Sequence, residues 1–368
     1  MFDIKTTFDN VEKSGLDKDK PLDFPISNTD VTKAGQTIRS YMNNKDLEGR
    51  SEEGFLNALL VLRKYRENHA PCLKIFSNLL SEKLKRLNFD KKSIVSSRTK
   101  RLESISVKLT ELSSTRLSQI EDIVGVRVTL PNMNALNTFV SDINGCEIRN
   151  SEHNEGMLKE HDYINKPKSD GYRGIHQIFK FKNNNKSFRI ELQIRTKLQH
   201  EWATTVEVLS YLYKSNFKKG LGNKNCLEFL RLTSALFSIE EKSPVLDEFQ
   251  EYGSSKICIE LKKLSNRLDI IGEMEKPSAF TQDNESKKAK YYLVQLDLVS
   301  YRTSILAYAD GKKANDDYYR LEKDHHNRFD TVLVSVDNMD KIKDAYPNYF
   351  LNSDEFINRY YQLMAKYG

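Results

Sequence analysis

The segment SFRIELQIRT, residues 187–196, alternates apolar and polar side chains without interruption. One face carries Phe188, Ile190, Leu192 and Ile194. The other face carries Arg189, Glu191, Gln193 and Arg195. Alternation with a period of two predicts a β-strand that packs one face against a core. Because the polar face places a carboxylate between guanidinium groups, directly before a His-bearing segment, it is a candidate functional surface.

The remaining hydrophobic patterns predict an α/β fold. A compact β-branched run at 123–130 predicts a buried strand, and residues 175–181 predict a hairpin with 187–196. A short strand is predicted at 146–149 and a long loop at 156–170. Helices are predicted at 31–42, 55–62, 73–84 after Pro71, 98–113, 136–140, 197–214, 225–239 and 256–271.

Changes in composition and hydrophobic pattern predict four parts of the chain. They are an N-terminal extension at 1–50, an α/β domain at 51–215, a helical connector at 216–280 and a C-terminal α/β module at 285–368. The polar stretch 281–290 is predicted to be a linker. Beyond it, YYLVQLDL and TVLVSV predict two strands separated by a helical run, and closing helices end near Met364.

Composition predicts a folded protein of the cytoplasm. The 368 residues are 38% hydrophobic and 30% charged, and the net charge of +6 mildly favours anionic partners such as nucleotides or RNA. No apolar run is long enough to span a bilayer, and the N-terminus does not resemble a signal peptide, so we expect no membrane partner. The four cysteines include no CxxC pair, which favours reduced thiols.

Any phosphate-binding site in this chain would depend on side chains, because GxxxxGK[ST], GxGxxG, GxSxG and HExxH motifs are all absent from the sequence. A first set of cationic and hydroxyl side chains comprises Arg98, Lys100, Arg101, Ser104 and Lys108. Arginine offers phosphate a bidentate fork, and lysine offers a point charge. The alternative interpretation of this set is a solvated helix face.

A second set flanks the predicted strand in EDIVGVRV, where Asp122 precedes the strand and Arg127 lies within it. An aspartate at the mouth of a strand suits Mg²⁺, which usually takes one or two carboxylates together with phosphate oxygens. A turn-forming or helix-capping aspartate is the alternative interpretation.

A third set lies in the loop YINKPKSDGYRGIH and the strand that follows it. Tyr163 and Tyr172 would stack on a base, because every base has a π-face. Glu191 would orient or deprotonate a hydroxyl, or share a metal with Asp122. Phosphates of the same ligand would be held by Lys166, Lys168 and Arg173. In the alternative interpretation Tyr172 is a core residue and His200 a structural histidine.

Four ordered motifs resemble the synthetase domain of the RelA/SpoT family of alarmone synthetases. The spacing of Arg98, Lys100, Ser104 and Lys108 resembles the family's ATP-binding R-x-K…S…K helix. DIVGVR is similar to its D-[IL]-x-x-x-R strand, YINKPKSDGYRGIH to its acceptor-binding loop, and ELQIRTKLQH to its E-x-Q-[IL]-R-T…H element. The resemblance covers about residues 56–213, under half of the chain.

The resemblance implies a nucleotidyltransferase-like mixed sheet and transfer of the β,γ-pyrophosphate of ATP, with Mg²⁺, to a 3′-hydroxyl. It implies ATP binding by Arg98, Lys100, Ser104, Lys108 and Arg127. It implies catalytic and metal-binding roles for Asp122 and Glu191. It implies an acceptor site built from Lys168, Tyr172, Arg173, His176, Gln193, Arg195 and His200.

Three activities fit these motifs. The leading one is synthesis of (p)ppGpp from GDP or GTP. A toxin or phage-defence member of the family would instead pyrophosphorylate the 3′ end of tRNA, and adenine nucleotides are further acceptors to consider. Gly174, where the family often has serine, suits a changed acceptor. A catalytically inactive nucleotide- or RNA-binding module is the third, although the chain retains Asp122, Glu191, Arg98 and Tyr172.

Two further expectations concern the rest of the chain. His161 and Asp162 form one isolated HD pair, so the sequence predicts no alarmone hydrolase activity. The C-terminal module would sense a ligand, bind a regulatory protein partner or autoinhibit the enzyme.

Overall fold

The computed structural model describes residues 24–43, 52–145, 154–183, 186–275, 279–283, 289–324, 328–335 and 340–368. Its strands are β1 (Ile94–Thr99), β2 (Val124–Leu130), β3 (Asn154–Asp162), β4 (Ile175–Asn183), β5 (Lys186–Thr196), β6 (Ala279–Asp283), β7 (Tyr291–Asp297), β8 (Arg302–Tyr308) and β9 (Phe329–Ser335). They form one sheet in the order β3-β4-β5-β2-β1-β9-β7-β8-β6. The β2–β5 and β6–β8 pairs are parallel and the others antiparallel, so the predicted mixed sheet is confirmed.

Helices cover both faces of this sheet. The longer ones are α1 (Asn28–Asn43), α2 (Glu52–Glu67), α3 (Ala70–Arg86), α4 (Leu102–Glu111), α5 (Met133–Gly145), α6 (Lys197–Leu212), α7 (Lys224–Glu240), α8 (Ser254–Leu268), α10 (Gly311–Asp324) and α12 (Asp354–Tyr367). The short ones are α9 (Ile270–Met274) and α11 (Asp340–Ala345). None of the helices among the described residues is long and apolar enough to cross a membrane.

Residues 187–196 form a strand with one face in a core, as their alternation predicted. All four apolar side chains of β5 lie in one core with Val126 and Val128 of β2, Phe76 of α3 and Phe139 of α5. Pro71 occupies the first turn of α3, where its missing N–H costs no hydrogen bond, so the predicted helix break is confirmed. The polar face of β5 therefore points away from this core.

Pairing between neighbouring strands extends the polar face across the sheet. Gly125 of β2 lies opposite Glu191, and Arg127 lies opposite Gln193. On the other side of β2, Arg98 of β1 lies opposite Gly125. Because paired residues project to the same face of a sheet, β4, β5, β2 and β1 share one polar surface.

Two predictions in the first half of the chain were wrong. Arg98 lies in β1 rather than in a helix, and α4 begins only at Leu102. The backbone of residues 94–99 pairs with β2 along six residues, which outweighs the local helical pattern. Residues 156–162 belong to β3, an edge strand whose polar sequence carries no clear alternation. The predicted strand at 146–149 lies outside the described residues.

Two predictions in the C-terminal part were also wrong. Residues 281–283 of the predicted linker belong to β6, and residues 302–308, which the sequence assigned to a helical run, form β8. Both segments gain their hydrogen bonds from neighbouring strands, since β8 forms a hairpin with β7 on one side and pairs with β6 on the other. The helical run is confirmed from Gly311 onward as α10.

The C-terminal strands join the sheet of the N-terminal part through β9 and β1, which pair at Ser97 with Ser335 and at Arg98 with Val334. A second connection is a buried ion pair of 2.9 Å between Arg66 of α2 and Glu322 of α10. Glu322 also accepts a hydrogen bond of 3.1 Å from the backbone N–H of Leu102, in the first turn of α4. The predicted domain boundaries stay a prediction.

A buried histidine gives the fold a testable pH dependence. His69 is fully buried, its Nδ1 lies 2.8 Å from the Tyr65 carbonyl oxygen, and burial lowers its pKa to about 4. The unfolded chain therefore binds a proton below pH 6.5 that the folded protein does not, so the free energy of unfolding falls as the pH falls. We expect His69 to contribute a loss of roughly 2 kcal/mol between pH 7 and pH 5.

Urea unfolding of wild type and His69→Phe at pH 7 and pH 5 measures this contribution. The other histidines are common to both proteins, so the difference between their pH dependences isolates His69. An equal loss of stability in the two proteins would contradict the assignment.

Candidate active site

A cavity of about 330 Å³ opens on the polar surface of β4, β5, β2 and β1. Its lining includes Arg98, Lys100, Lys108, Asp122, Arg127, Tyr163, Lys168, His176, Glu191 and Gln193, which the sequence predicted. It also includes Ser96, Glu121, Gly125, Val126, His161, Ile178 and Tyr346. The structure thus brings ten of the predicted site residues into one cavity.

Glu191 is held by hydrogen bonds on both carboxylate oxygens. His176 Nδ1 lies 2.9 Å from Oε1, and Gln193 Nε2 donates to Oε2 at 2.7 Å. Burial raises the pKa of Glu191, but these hydrogen bonds and the charge of Arg98 outweigh it and lower the pKa to about 2. The group is therefore a fully ionised acceptor at neutral pH and a weak base.

A chain of hydrogen bonds leads from Glu191 to Arg195. Tyr172 Oη lies 2.5 Å from His176 Nε2, and Arg195 Nε donates to Tyr172 Oη at 3.1 Å. Burial lowers the pKa of His176, which is therefore neutral at pH 7. The consistent tautomer donates from Nδ1 to Glu191 and accepts the Tyr172 hydroxyl proton at Nε2. This series of hydrogen bonds fixes the orientation of the Glu191 carboxylate.

Asp122 lies directly before β2 and binds two lysines. Lys100 Nζ lies 2.7 Å from one carboxylate oxygen and Lys108 Nζ 2.9 Å from the other. Burial raises the pKa of Asp122, but the two lysines outweigh it and lower the pKa below its usual value. All three side chains are partly exposed, so they remain accessible to a ligand.

Arg127 is a partly buried cation that forms no ion pair with a carboxylate among the described residues. Burial and the neighbouring Arg195 lower its pKa to about 10, so it stays charged at neutral pH. Nη1 donates to the Ala345 carbonyl oxygen at 3.2 Å, and Nε is buried without a hydrogen-bond partner. An incompletely paired buried cation is costly, and an anion bound in the cavity would offset that cost.

The C-terminal module contributes Tyr346 to the cavity. Its ring centroid lies 5.8 Å from the Arg127 guanidinium carbon, and its hydroxyl donates to the Ser97 carbonyl oxygen at 3.1 Å. His200 Nε2 lies 3.0 Å from the Asp344 carbonyl oxygen, which places α11 against α6. Residues 344–346 therefore cover the side of the cavity where Arg127 lies.

The loop before β4 presents the Tyr163 ring and the Lys168 cation to the cavity, with the Tyr172 ring behind them. Lys168 Nζ lies 4.4 Å from the ring centroid of Tyr163 and 5.0 Å from that of Tyr172. The two tyrosine rings lie edge to face at 5.9 Å, and His161 stacks on Tyr163 at 5.6 Å. This arrangement suits a planar base next to a phosphate.

Seven predicted residues do not line the cavity. They are Arg101, Ser104, Lys166, Tyr172, Arg173, Arg195 and His200. Tyr172 and Arg195 lie directly behind it and support His176, as described above. Arg173 is only 2% exposed and is paired elsewhere, with Glu241 at 2.9 Å. Burial lowers the pKa of His200 to about 3, so this histidine is neutral.

Gly174 has a backbone reason to lack a side chain. Its φ angle is +152°, and an added Cβ would lie 3.2 Å from both Arg195 Cγ and Tyr172 Oη. A serine here would be strained and crowded in this conformation. The glycine at position 174, where the family often has serine, is therefore required by the local packing of this loop. It also leaves the site without the serine hydroxyl.

Sequence reasoning did not find Tyr346, His161 and Glu207. Tyr346 comes from the far end of the chain, and nothing in YPNY indicates a nucleotide site. The sequence showed His161 only as part of an isolated HD pair. Glu207 lies on α6, ion-paired with Lys218, and its charge raises the pKa of the otherwise desolvated Arg98. Only the packing of α6 against the sheet brings it near that arginine.

Two carboxylates, Asp122 and Glu191, are available for a metal ion. The described part of the chain contains no group of three or more His, Cys, Asp or Glu side chains arranged to hold a metal. A site completed by substrate phosphates needs only one or two carboxylates, and both of these are ionised. The donor set therefore fits Mg²⁺ bound together with a nucleotide.

Comparison with known proteins identifies the region around this cavity. Residues 97–218 match the family model described as "Region found in RelA / SpoT proteins". The matched range contains every predicted site residue. The match confirms the resemblance seen in the motifs.

Two curated proteins of Bacillus subtilis (strain 168) are similar to the chain. GTP pyrophosphokinase YwaC is 31% identical over 135 residues, which cover 34% of this chain and 61% of YwaC. GTP pyrophosphokinase YjbM is 26% identical over 204 residues, which cover 53% of this chain and 82% of YjbM. The chain thus spans less than two thirds of YwaC.

Solved structures of small alarmone synthetases from Bacillus subtilis also match. Small alarmone synthetase 2 has a TM-score of 0.39 and 24% identity, covering 51% of this chain and 94% of that one. Small alarmone synthetase 1 bound to its product pppGpp has a TM-score of 0.40 and 20% identity, covering 49% and 91%.

The position of Tyr346 predicts an effect on nucleotide binding. A nucleotide that contacts Arg127 has to displace the Tyr346 ring or share the cavity with it. We expect Tyr346→Ala to tighten ATP binding by about three- to tenfold, the equivalent of a cation–π contact and its associated packing. Calorimetric titration with ATP measures the change.

Tyr361→Ala is the matched control, because Tyr361 is 53% exposed on α12 and does not line the cavity. Unchanged or weaker ATP binding by a folded Tyr346→Ala variant would contradict the prediction.

Proposed function

We propose that this protein is an ATP-dependent pyrophosphokinase that transfers the β,γ-pyrophosphate of ATP to the 3′-hydroxyl of GDP or GTP, making (p)ppGpp. The observation that carries the proposal is one cavity with two chemically different halves. Asp122 and its cations lie in one half, and Glu191 lies next to the aromatic loop in the other. The names of the curated relatives support the same reaction class.

The cationic half suits the triphosphate of ATP. Arg98, Lys100, Lys108 and Arg127 line it, and Lys100 and Lys108 share a single carboxylate, so their charge is not fully compensated. Phosphoryl transfer depends mainly on positioning and charge neutralisation, which such groups provide. Lys100 and Lys108 would exchange Asp122 for phosphate oxygens when ATP binds.

Mg²⁺ would then be held by Asp122, with Glu191 as a second ligand, and would neutralise charge on the transferred phosphates. This assignment follows from the two ionised carboxylates in the same cavity.

The other half suits the acceptor nucleotide. Tyr163 would pack on its base, supported from behind by Tyr172, and Lys168 would lie near its phosphates. The acceptor 3′-oxygen would attack the β-phosphorus of ATP as the bond to the α,β-bridging oxygen breaks and AMP leaves. Glu191 would accept a hydrogen bond from the attacking hydroxyl. Its low pKa favours orientation of that hydroxyl over early removal of its proton.

The acceptor is decided by a direct transfer assay. We expect purified protein with Mg²⁺ and ATP labelled in the β,γ-phosphates to label GDP and GTP, because the aromatic loop and Lys168 form a site for a base with a phosphate. Parallel reactions contain unlabelled ATP or deacylated tRNA as acceptor. Label on tRNA alone would replace the proposed acceptor by the 3′ end of tRNA.

Glu191→Gln tests the catalytic carboxylate. The amide keeps the shape of the side chain but loses the charge, so we expect transfer to fall by at least about a thousandfold, while ATP binding changes by less than about threefold. Glu121→Gln is the matched control, because Glu121 also lines the cavity but pairs at its rim with Lys159 at 3.4 Å.

Measured turnover and calorimetric ATP binding separate the two effects. Retained transfer by Glu191→Gln would refute its role. Absence of transfer in the wild-type protein, with ATP binding intact, would favour the non-catalytic binding module instead.

The contacts of residues 344–346 favour a regulatory role for the C-terminal module within this proposal. Arg127 and His200 both bind carbonyl oxygens at the end of α11, and Tyr346 lines the cavity. A partner or ligand that moves this segment would change access to the ATP half.

A further inference from the structure

The loop of residues 163–174, called here the acceptor loop, packs on its far side against α7. Ser234 Oγ of α7 donates to the Gly171 carbonyl oxygen at 2.5 Å. A Cβ on Gly171 would lie 3.0 Å from Ser234 Cβ and 3.1 Å from the Trp202 ring, and the φ angle of this glycine is +95°. The loop backbone therefore approaches α7 as closely as a glycine allows.

One carboxylate at the end of α7 binds three donors from two different elements. Glu241 accepts hydrogen bonds from Arg173 Nη1 at 2.9 Å, from Gln199 Nε2 at 3.0 Å and from the Thr196 hydroxyl. Arg173 also donates to Ser243 Oγ at 2.8 Å. The Glu241 side chain is 7% exposed and that of Arg173 is 2% exposed. Loss of either charge would therefore leave the other buried without its ion-pair partner.

The positions of the three donors in the chain show which segments Glu241 connects. Arg173 lies between Tyr172 and Gly174 in the acceptor loop, whereas Thr196 directly follows the last residue of the polar face, Arg195, and caps α6. Glu241 therefore joins the acceptor loop to the end of the strand that carries Glu191. It lies outside residues 97–218, the range of the RelA/SpoT match.

We propose that Glu241 is a positioning residue for acceptor binding, acting through Arg173 and Thr196 to hold the acceptor loop against the end of β5. The proposal rests on the proposed function for the identity of the acceptor. It also means that the functional unit extends through α7, beyond the region that the family model covers.

The neighbouring Glu240 provides a matched control. Its carboxylate binds Lys366 at 2.7 Å and the Tyr367 hydroxyl at 2.9 Å, on the side of α7 that faces the C-terminus. None of its hydrogen bonds among the described residues reaches the acceptor loop. Glu240→Gln and Glu241→Gln therefore make the same chemical change at adjacent positions with different contacts.

Steady-state kinetics of the full chain, with the acceptor that the wild type uses, tests the proposal. We expect Glu241→Gln to raise the acceptor KM roughly tenfold, since an amide cannot satisfy Arg173 and Gln199 as a carboxylate does. The ATP KM should change less than about twofold, and Glu241→Asp should recover part of the loss. Glu240→Gln should leave both KM values unchanged.

A merely structural role would lower the active fraction, and with it kcat, without separating the two KM values. An acceptor KM equal to that of Glu240→Gln in a folded Glu241→Gln variant would overturn the proposal. If Glu241→Gln does not fold, Ser243→Ala replaces it, because that change removes one partner of Arg173 and keeps the charge pair. We then expect an acceptor KM about two- to threefold higher, and an unchanged KM would overturn the proposal.

A second readout does not depend on activity. Trp202 is the single tryptophan of the chain, and its ring packs against Gly171 of the acceptor loop. We expect acrylamide to quench Trp202 fluorescence more in Glu241→Gln than in Glu240→Gln, because the loosened loop uncovers the ring. Equal quenching would overturn the positioning role even if no nucleotide proved to be an acceptor, whereas stronger quenching without pyrophosphate transfer would leave it standing and refute only the proposed function.

Discussion

The parallel pairing of β2 with β5 is the constraint on which the site depends. It sets Gly125 beside Glu191 and Arg127 beside Gln193 while the alternate residues enter the core. A shift of one residue would turn Glu191 into the core and Leu192 into the cavity. The apolar faces of both strands, packed under α3 and α5, make that shift very costly, so the hydrophobic core fixes the geometry of the polar site.

The side chains of the cavity balance most of their charges among themselves. Asp122 binds two lysines, and Glu191 binds His176 and Gln193. Arg127 differs, because it donates to a carbonyl oxygen and its Nε has no hydrogen-bond partner among the described residues. Such an arrangement keeps two carboxylates ionised and leaves cationic charge for an anionic ligand, which is the requirement for handling a nucleotide and its metal.

Elements distant in sequence complete the cavity from both ends. From the C-terminal part of the chain, β9 extends the sheet beside β1, and Tyr346 reaches the Arg127 side. Further along from β5, α7 and Glu241 contact the acceptor loop. The matched RelA/SpoT region therefore lies between two supports that its own sequence does not contain.

The sequence by itself determined the local alternation of β5, the strand in IVGVRVTL, the main helices and ten residues of the cavity. These features depend on local periodicity and on motifs whose side chains share one strand face. Tertiary structure decided the rest. Arg98 became part of a strand because β2 offered it a partner, and residues 302–308 became β8 between the partners β7 and β6. Arg173 left the predicted acceptor site because Glu241, 68 positions away, offered a buried countercharge, and no local pattern encodes such a partner.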